Sequence, residues 1–341
     1  MNDPQLKEDD VEQEIWSWGA GTDGQLGTGR LEDNHLPQLV RTPSLSSVPA
    51  ISFLSCGGAH VIALTAGGGV LTWGRGNSGQ LGLGDMISSL HPKPVMRLGS
   101  YIITQVSAGW SHSGFVSGCS GEQVYGFGAG KRGQLGISKK IQTVNLPILS
   151  SELEAAEIVG IAAGGDHSAA LSTEGHLYTW GRGFKSNSDV YSPQHLPSPS
   201  SFSKVALGWN HALVLTDEGE LYMLGGKHHG ALSDSEMLNA MKFLPAGDFK
   251  EDNFQAIPAL SGIKVLDIAA GAEHSVIVTE DGGVKTWGWG EHGQLGLGDT
   301  CDHTNPQTVN LNLKLESTAY DVKVYCGSGF TVAVATSNLR N

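Results

Sequence analysis

Much that marks other protein classes is missing from this 341-residue chain. No apolar run approaches the 18 or more residues of a membrane span, so no transmembrane helix is expected. The first 14 residues, MNDPQLKEDDVEQE, hold almost no large apolar side chain and no basic cluster. They read as an acidic tail, neither a signal peptide nor a basic nuclear-targeting arm. Cysteine is sparse: Cys56, Cys119, Cys301 and Cys326 stand far apart with no C-x-x-C pair, which argues against a zinc site and a disulfide framework. An intracellular protein, cytoplasmic or nuclear, is the expectation. Basic charge is in deficit, 21 Lys and Arg against 34 Asp and Glu, for a formal net charge of −13. Such a field repels nucleic acid phosphates and anionic lipid headgroups, leaving a basic protein surface as the expected partner. Helical periodicity is absent too, apart from one stretch, SDSEMLNAMKF at 233–243.

Glycine, by contrast, is abundant. Its 48 residues are about twice the usual share of roughly 7%, and they show no Gly-X-Y period, so tight turns are implied and collagen is not. The turns recur. One landmark is Gly-x-x-His before small and apolar residues, centred on His60, His112, His167, His211 and His274, with a sixth copy in which Phe330 takes the histidine's place. Successive landmarks are 52, 55, 44, 63 and 56 residues apart. The second landmark is an aromatic-Gly pair followed by Gly-Gln-Leu-Gly: Trp18 with 24–27, Trp73 with 79–82, Phe127 with 133–136 and Trp287 with 293–296. Two copies are degraded, at Trp180-Gly181 and at Leu224-Gly225.

Within one period the alternation is that of strands: KVLDIAAG at 264–271, then HSVIVTEDGG into an Asp-Gly turn, then VKTWGWG, then a Pro-containing edge segment at 305–311. Four short strands in about fifty residues make a propeller blade. The expected fold is therefore all-β: a single propeller of six four-stranded blades over residues 15–336, with short tails at 1–14 and 337–341. Seven blades are the alternative, but the longest interval between landmarks leaves no room for another unit. The chain starts with the Trp-Gly half of a unit and finishes with the Gly-x-x-His half, so N- and C-terminal strands should share one blade and close the ring.

The repeating AGxxHSxALT…WGxGxxGQLGLGD unit resembles that of the regulator of chromosome condensation family of β-propellers, whose founding member is a nucleotide exchange factor for the Ran GTPase. The family also includes the plant ultraviolet-B photoreceptor. The resemblance covers nearly the whole chain from about Ile15 to Thr336. It implies a protein-interaction propeller whose leading specific activity is exchange on a small GTPase, with a regulatory scaffold as alternative.

Repetition also decides what the motifs mean. G-x-G-x-x-G, the spacing of a dinucleotide fingerprint, occurs four times, at Gly19, Gly74, Gly128 and Gly288, and never ahead of a helix that would add its dipole to a phosphate. These are read as turns, and no cofactor is expected. The five histidines and Trp18, Trp73, Trp180 and Trp287 are read as structural repeat positions. Lys-His-His-Gly at 227–230 lacks further ligands, so no metal is expected either. What breaks the repeat is more informative. Directly before the landmark stand Asp166, Asn210 and Glu273, and one position earlier Trp110 and Trp209. On one face they would form a partial ring of aromatics and acids for a protein partner, a small GTPase or another basic surface. The resemblance singles out Asp166, because in the founding member an acidic residue directly before such a histidine is important for exchange; Glu273 is the second candidate. The photoreceptor's Gly-Trp-Arg-His-Thr clusters are only partly kept: Ser111 and Asn210 replace the arginines, and Gly165 replaces the intervening tryptophan, which disfavours light sensing. The insertion at 233–254 is the least repeat-like stretch and a second interaction candidate.

Overall fold

The computed structural model describes residues 12–40, 50–98, 102–118, 123–137, 139–150, 157–182, 189–196, 202–209, 211–225, 255–313 and 320–337. The stretch at 233–243, the Lys-His-His-Gly segment, the insertion at 233–254 and Asn210 lie outside the described residues.

The strands form six four-stranded antiparallel sheets. The first blade runs outward from the centre as β3 (Ile51–Cys56), β4 (His60–Thr65), β5 (Val70–Gly74) and β6 (Ser89–Pro94). It is followed by β7 (Ile103–Ala108), β8 (His112–Ser117), β9 (Gln123–Ala129) and β10 (Thr143–Leu149); then β11 (Ile158–Ala163), β12 (His167–Ser172), β13 (Leu177–Arg182) and β14 (Asp189–Leu196). The fourth blade is β15 (Lys204–Leu207), β16 (His211–Leu215), β17 (Leu221–Gly225) and β18 (Gln255–Ala256); the fifth is β19 (Val265–Ala270), β20 (His274–Thr279), β21 (Val284–Gly288) and β22 (His303–Val309). The sixth is mixed: β23 (Tyr320–Cys326) and β24 (Phe330–Ser337) are its inner strands, and β1 (Glu12–Gly19) and β2 (Asn34–Leu39) its outer ones. Strand β1 starts at Glu12, three residues inside the stretch read from sequence as tail, and pairs with β24 along its whole length, from Glu12 opposite Ser337 to Gly19 opposite Phe330.

Residue types explain the strand order. The second strand of every blade is buried on both sides and reads as a near-continuous apolar run, as in Val61, Ile62 and Ala63, all fully buried. Outermost strands carry the prolines, Pro37, Pro92, Pro94, Pro147, Pro193 and Pro306, because a missing N–H costs no ladder bond on an edge. The six innermost strands touch one another in a closed cycle around a central channel. The core lies in the wedges between blades: Trp18, Val276, Val324 and Ala333 share one such wedge, and Val61, Trp73, Phe330 and Val334 the next. The only helical segments among the described residues are two 3-10 turns, Met96–Leu98 and Pro258–Leu260. No helix among them is long and apolar enough to cross a membrane.

Candidate functional site

The two landmarks are the staples between blades. Four of the landmark histidines reach a hydroxyl in the following blade: His60 Nε2 lies 2.8 Å from Ser113 Oγ, His112 Nε2 3.0 Å from Ser168 Oγ, His211 Nε2 3.1 Å from Ser275 Oγ and His274 Nε2 3.1 Å from Thr331 Oγ1. The hydroxyl's own proton is already used. Ser113 donates to the main-chain oxygen of Gln80 (2.9 Å), Ser168 to that of Gln134 (2.8 Å) and Thr331 to that of Gln294 (2.9 Å). At these three interfaces the hydroxyl therefore accepts, and the histidine is the neutral Nε2–H tautomer. Burial drives all five histidine pKa values down, to about 3 for His60, His112, His167 and His274 and about 4 for His211. Where the histidine is replaced, its partner is too: Phe330 is followed in the next blade by Val61, and the two share one apolar cluster.

The same glutamine carbonyls hold the tryptophans. Trp18 Nε1 donates to Gln294 O (2.8 Å) and Trp180 Nε1 to Gln134 O (3.0 Å), across the blade interface. Trp73 and Trp287 are equally buried, at 3% and 0% exposure. The glycine three residues ahead of each histidine is required by packing, because a Cβ at Gly57 or Gly271 would overlap the ring of His60 or His274. Gly74 needs its freedom for another reason: φ is +96° and the position abuts the Ala59 carbonyl.

Both sets of landmark loops lie at the same end of the blades, so the residues that break the repeat share this face. Trp110 and Trp209 come from the second and fourth blades and meet above the third, ring centroids 5.0 Å apart and planes tilted by 32°. They are 38% and 48% exposed. Gly165 makes the contact possible, since a Cβ there would stand 2.7 Å from Trp209 Cδ1. Asp166, next in sequence, is half-buried, and its Oδ1 accepts from Gln134 Nε2 at 3.3 Å, which braces the carboxylate. Glu273 is likewise half-buried on the corresponding loop of the fifth blade.

Sequence reasoning missed the other end of the channel. Counting register from the landmark places Phe53, Gln105, Gly160, Lys204, Asp267 and Lys323 at one level of the six inner strands, opposite Leu64, Val116, Leu171, Leu215, Val278 and Val334. No other level is so varied. Two residues further along are Ser55, Ser107, Ala162, Ala206, Ala269 and Tyr325, five small side chains and one large one. Tyr325 packs edge-on against Phe53, centroids 5.6 Å apart, and narrows the channel. Beyond it the glycines Gly57, Gly109, Gly164, Gly208, Gly271 and Gly327 draw the channel almost shut beneath the tryptophans, leaving about 30 Å3. At the varied level Asp267 is buried, with one carboxylate oxygen on the Lys204 ammonium and the other accepting the Val324 N–H at 2.9 Å. The signal that could have found this level is the one used for Trp110 and Trp209, difference at an equivalent position, applied to the inner strands. No group of three or more metal-binding side chains occurs among the described residues.

Comparison with known proteins follows the same lines. Residues 12–64, 67–116, 122–171 and 281–334 match the regulator of chromosome condensation (RCC1) repeat, and a second form of that repeat matches 51–80, 158–187, 202–230 and 265–294. The chain is 31% identical over 335 residues to the ultraviolet-B receptor UVR8 of Arabidopsis thaliana, covering 95% of this chain and 71% of the receptor. It is 31% identical over 297 residues to the secretion-regulating guanine nucleotide exchange factor of Mus musculus, covering 83% and 61%. Among solved structures, Prp20p of Saccharomyces cerevisiae, studied with its binding to Gsp1p and histones, superposes with a TM-score of 0.69 at 21% identity over 95% of this chain and 91% of its own. At that identity the likeness is one of fold. With the repeat matched over more than half of its residues, the chain belongs to the regulator of chromosome condensation (RCC1) repeat family.

Proposed function

We propose that this propeller is a regulatory docking platform that engages another protein through the face holding the histidine landmarks, and that its specific activity is guanine nucleotide exchange on a small GTPase. The observation that carries the reading is the Trp110–Trp209 pair. Two large aromatic rings, in contact yet 38% and 48% exposed over the end of the channel, are the kind of side chains that anchor protein interfaces. Asp166, with its carboxylate braced by Gln134, is the group that meets a basic or phosphate-binding element of the GTPase. Glu273 and Asn210 supply supporting contacts in this reading.

Exchange needs no bond chemistry. A surface that holds the nucleotide-free GTPase more tightly than the loaded form weakens nucleotide binding by the same factor, through thermodynamic reciprocity. Support comes from the exchange factor among the relatives and from the study of Prp20p with Gsp1p. The test is release of a fluorescent guanine nucleotide from a panel of small GTPases, with Asp166→Ala, Trp110→Ala and Trp209→Ala beside the wild type. Accelerated release that Asp166→Ala reduces about tenfold or more is expected. If no GTPase in the panel is accelerated, exchange is refuted. Partner capture that still depends on Trp110 and Trp209 would then leave the non-catalytic scaffold.

A further inference from the structure

The opposite end of the channel has no part in that docking. There the channel opens into a cavity of about 920 Å3 on the face of the hairpin turns, and it narrows inward where Tyr325 enters the bore. Its two levels differ in charge. At the rim stand the exposed carboxylates of Asp281 and Asp321. Asp281 is held as an anion, because the Thr279 hydroxyl (2.5 Å) and the Gly283 N–H (3.1 Å) both donate to its Oδ1.

Two residues deeper on β23, about 7 Å further in at roughly 3.3 Å per residue, stands Lys323. The only carboxylate at that level, Asp267, is already committed to Lys204 and to the Val324 N–H. Among the described residues neither the Lys323 ammonium nor the Gln105 amide has a protein partner, and both line the cavity. The funnel thus has an acidic rim, an apolar wall and a floor of unused donors.

We propose that this funnel captures the free C-terminus of an extended, basic polypeptide tail. The terminal carboxylate takes the Lys323 ammonium and the Gln105 amide as donors, and a Lys or Arg two to three residues before the terminus meets Asp321 and Asp281. The chemistry selects this ligand over simpler ones. A small anion would have to pass the carboxylates at the rim, and a basic loop with no free end would set its cations against Lys323. The net charge of −13 draws a basic tail toward the mouth. The spacing between rim and floor matches about two residues of extended chain, again at roughly 3.3 Å each.

Fluorescence anisotropy on the full chain tests this, using labelled hexapeptides with Arg at the third and fourth positions from the end, other positions randomised, as free acids and as matched C-terminal amides. The free acids should bind about tenfold or more tightly than the amides, a difference that Lys323→Gln erases. Asp321→Asn should weaken the free acids, and the effect should shrink as salt rises. Gly160→Leu is the occluding variant: a Cβ at Gly160 meets nothing nearer than Leu171 Cβ at 3.7 Å, so the fold accepts a side chain that then fills the cavity and abolishes binding. Trp110→Ala, on the far face, should change nothing. Equal binding of acid and amide, binding that survives Gly160→Leu, or no binding at about 1 mM peptide overturns the proposal.

Discussion

Lowering the pH from about 8 to about 5 should unfold this propeller before its carboxylates titrate, because five of its landmark positions are buried neutral histidines. The folded values are about 3 for four of them and about 4 for His211, against an ordinary 6.5. A folded pKa below the unfolded one means that the unfolded chain binds more protons throughout the interval. The stability these groups supply is therefore complete above about pH 6.5 and is lost as pH falls through the interval toward about 3. At about pH 5, which lies about 1.5 below the unfolded value, each histidine has lost about 2 kcal/mol, or about 10 kcal/mol for the five. That is comparable with the roughly 5–15 kcal/mol of a whole domain. Asp281, held down first by the Thr279 hydroxyl, loses its contribution only below its ordinary 3.8, beneath the range from about pH 8 to about pH 5.

Urea unfolding followed by tryptophan fluorescence at a series of pH values reads the effect directly. The slope of unfolding free energy against pH should correspond to uptake of between four and five protons near about pH 5.5 and to almost none near about pH 8. The double substitution His112→Phe with Ser168→Val copies the natural Phe330–Val61 interface and should lower the uptake by about one proton. Uptake below about two protons, or a double variant with the wild-type slope, would refute the assignment of these histidines as buried neutral staples.

Two further substitutions test the packing argument. Gly271→Ala drives a methyl group into the His274 ring and should cost about 2–4 kcal/mol in urea unfolding, with part of the loss recovered when His274→Ser is added; no recovery would mean that the ring is not what the glycine accommodates. Gly165→Ala should separate the paired Trp110 and Trp209, seen as loss of their coupled near-ultraviolet dichroism with little change in unfolding midpoint, and an unaltered spectrum would show that the ring contact does not depend on the bare glycine.

The ring was legible from sequence because repetition averages out local ambiguity. Six copies of each landmark fixed the blade number, and the split unit at the two ends announced the mixed blade that β1 and β24 form. The sites were less legible, for a physical reason. Trp110 and Trp209 could be assigned to one face, but their direct contact across an intervening blade depends on the missing side chain of Gly165. Lys204 and Asp267 are 63 residues apart and become partners only through the register of neighbouring inner strands. Four of those strands also carry a bulge just before the varied level, at Ser52, Thr104, Val159 and Leu266, so simple period-two counting slips by one there.

The mixed blade has a consequence for how the protein is made. Strand β1 leaves the ribosome early, but its inner partner β24 follows only some 311 residues later, the separation of the paired Gly19 and Phe330. At about 5–20 residues per second, β1 waits roughly 15–60 s with an unpaired edge exposed. During that time the growing chain can stack five complete blades but cannot close the circle. Translation speed and chaperone cover of β1 should thus govern yield more than the stability of any single blade.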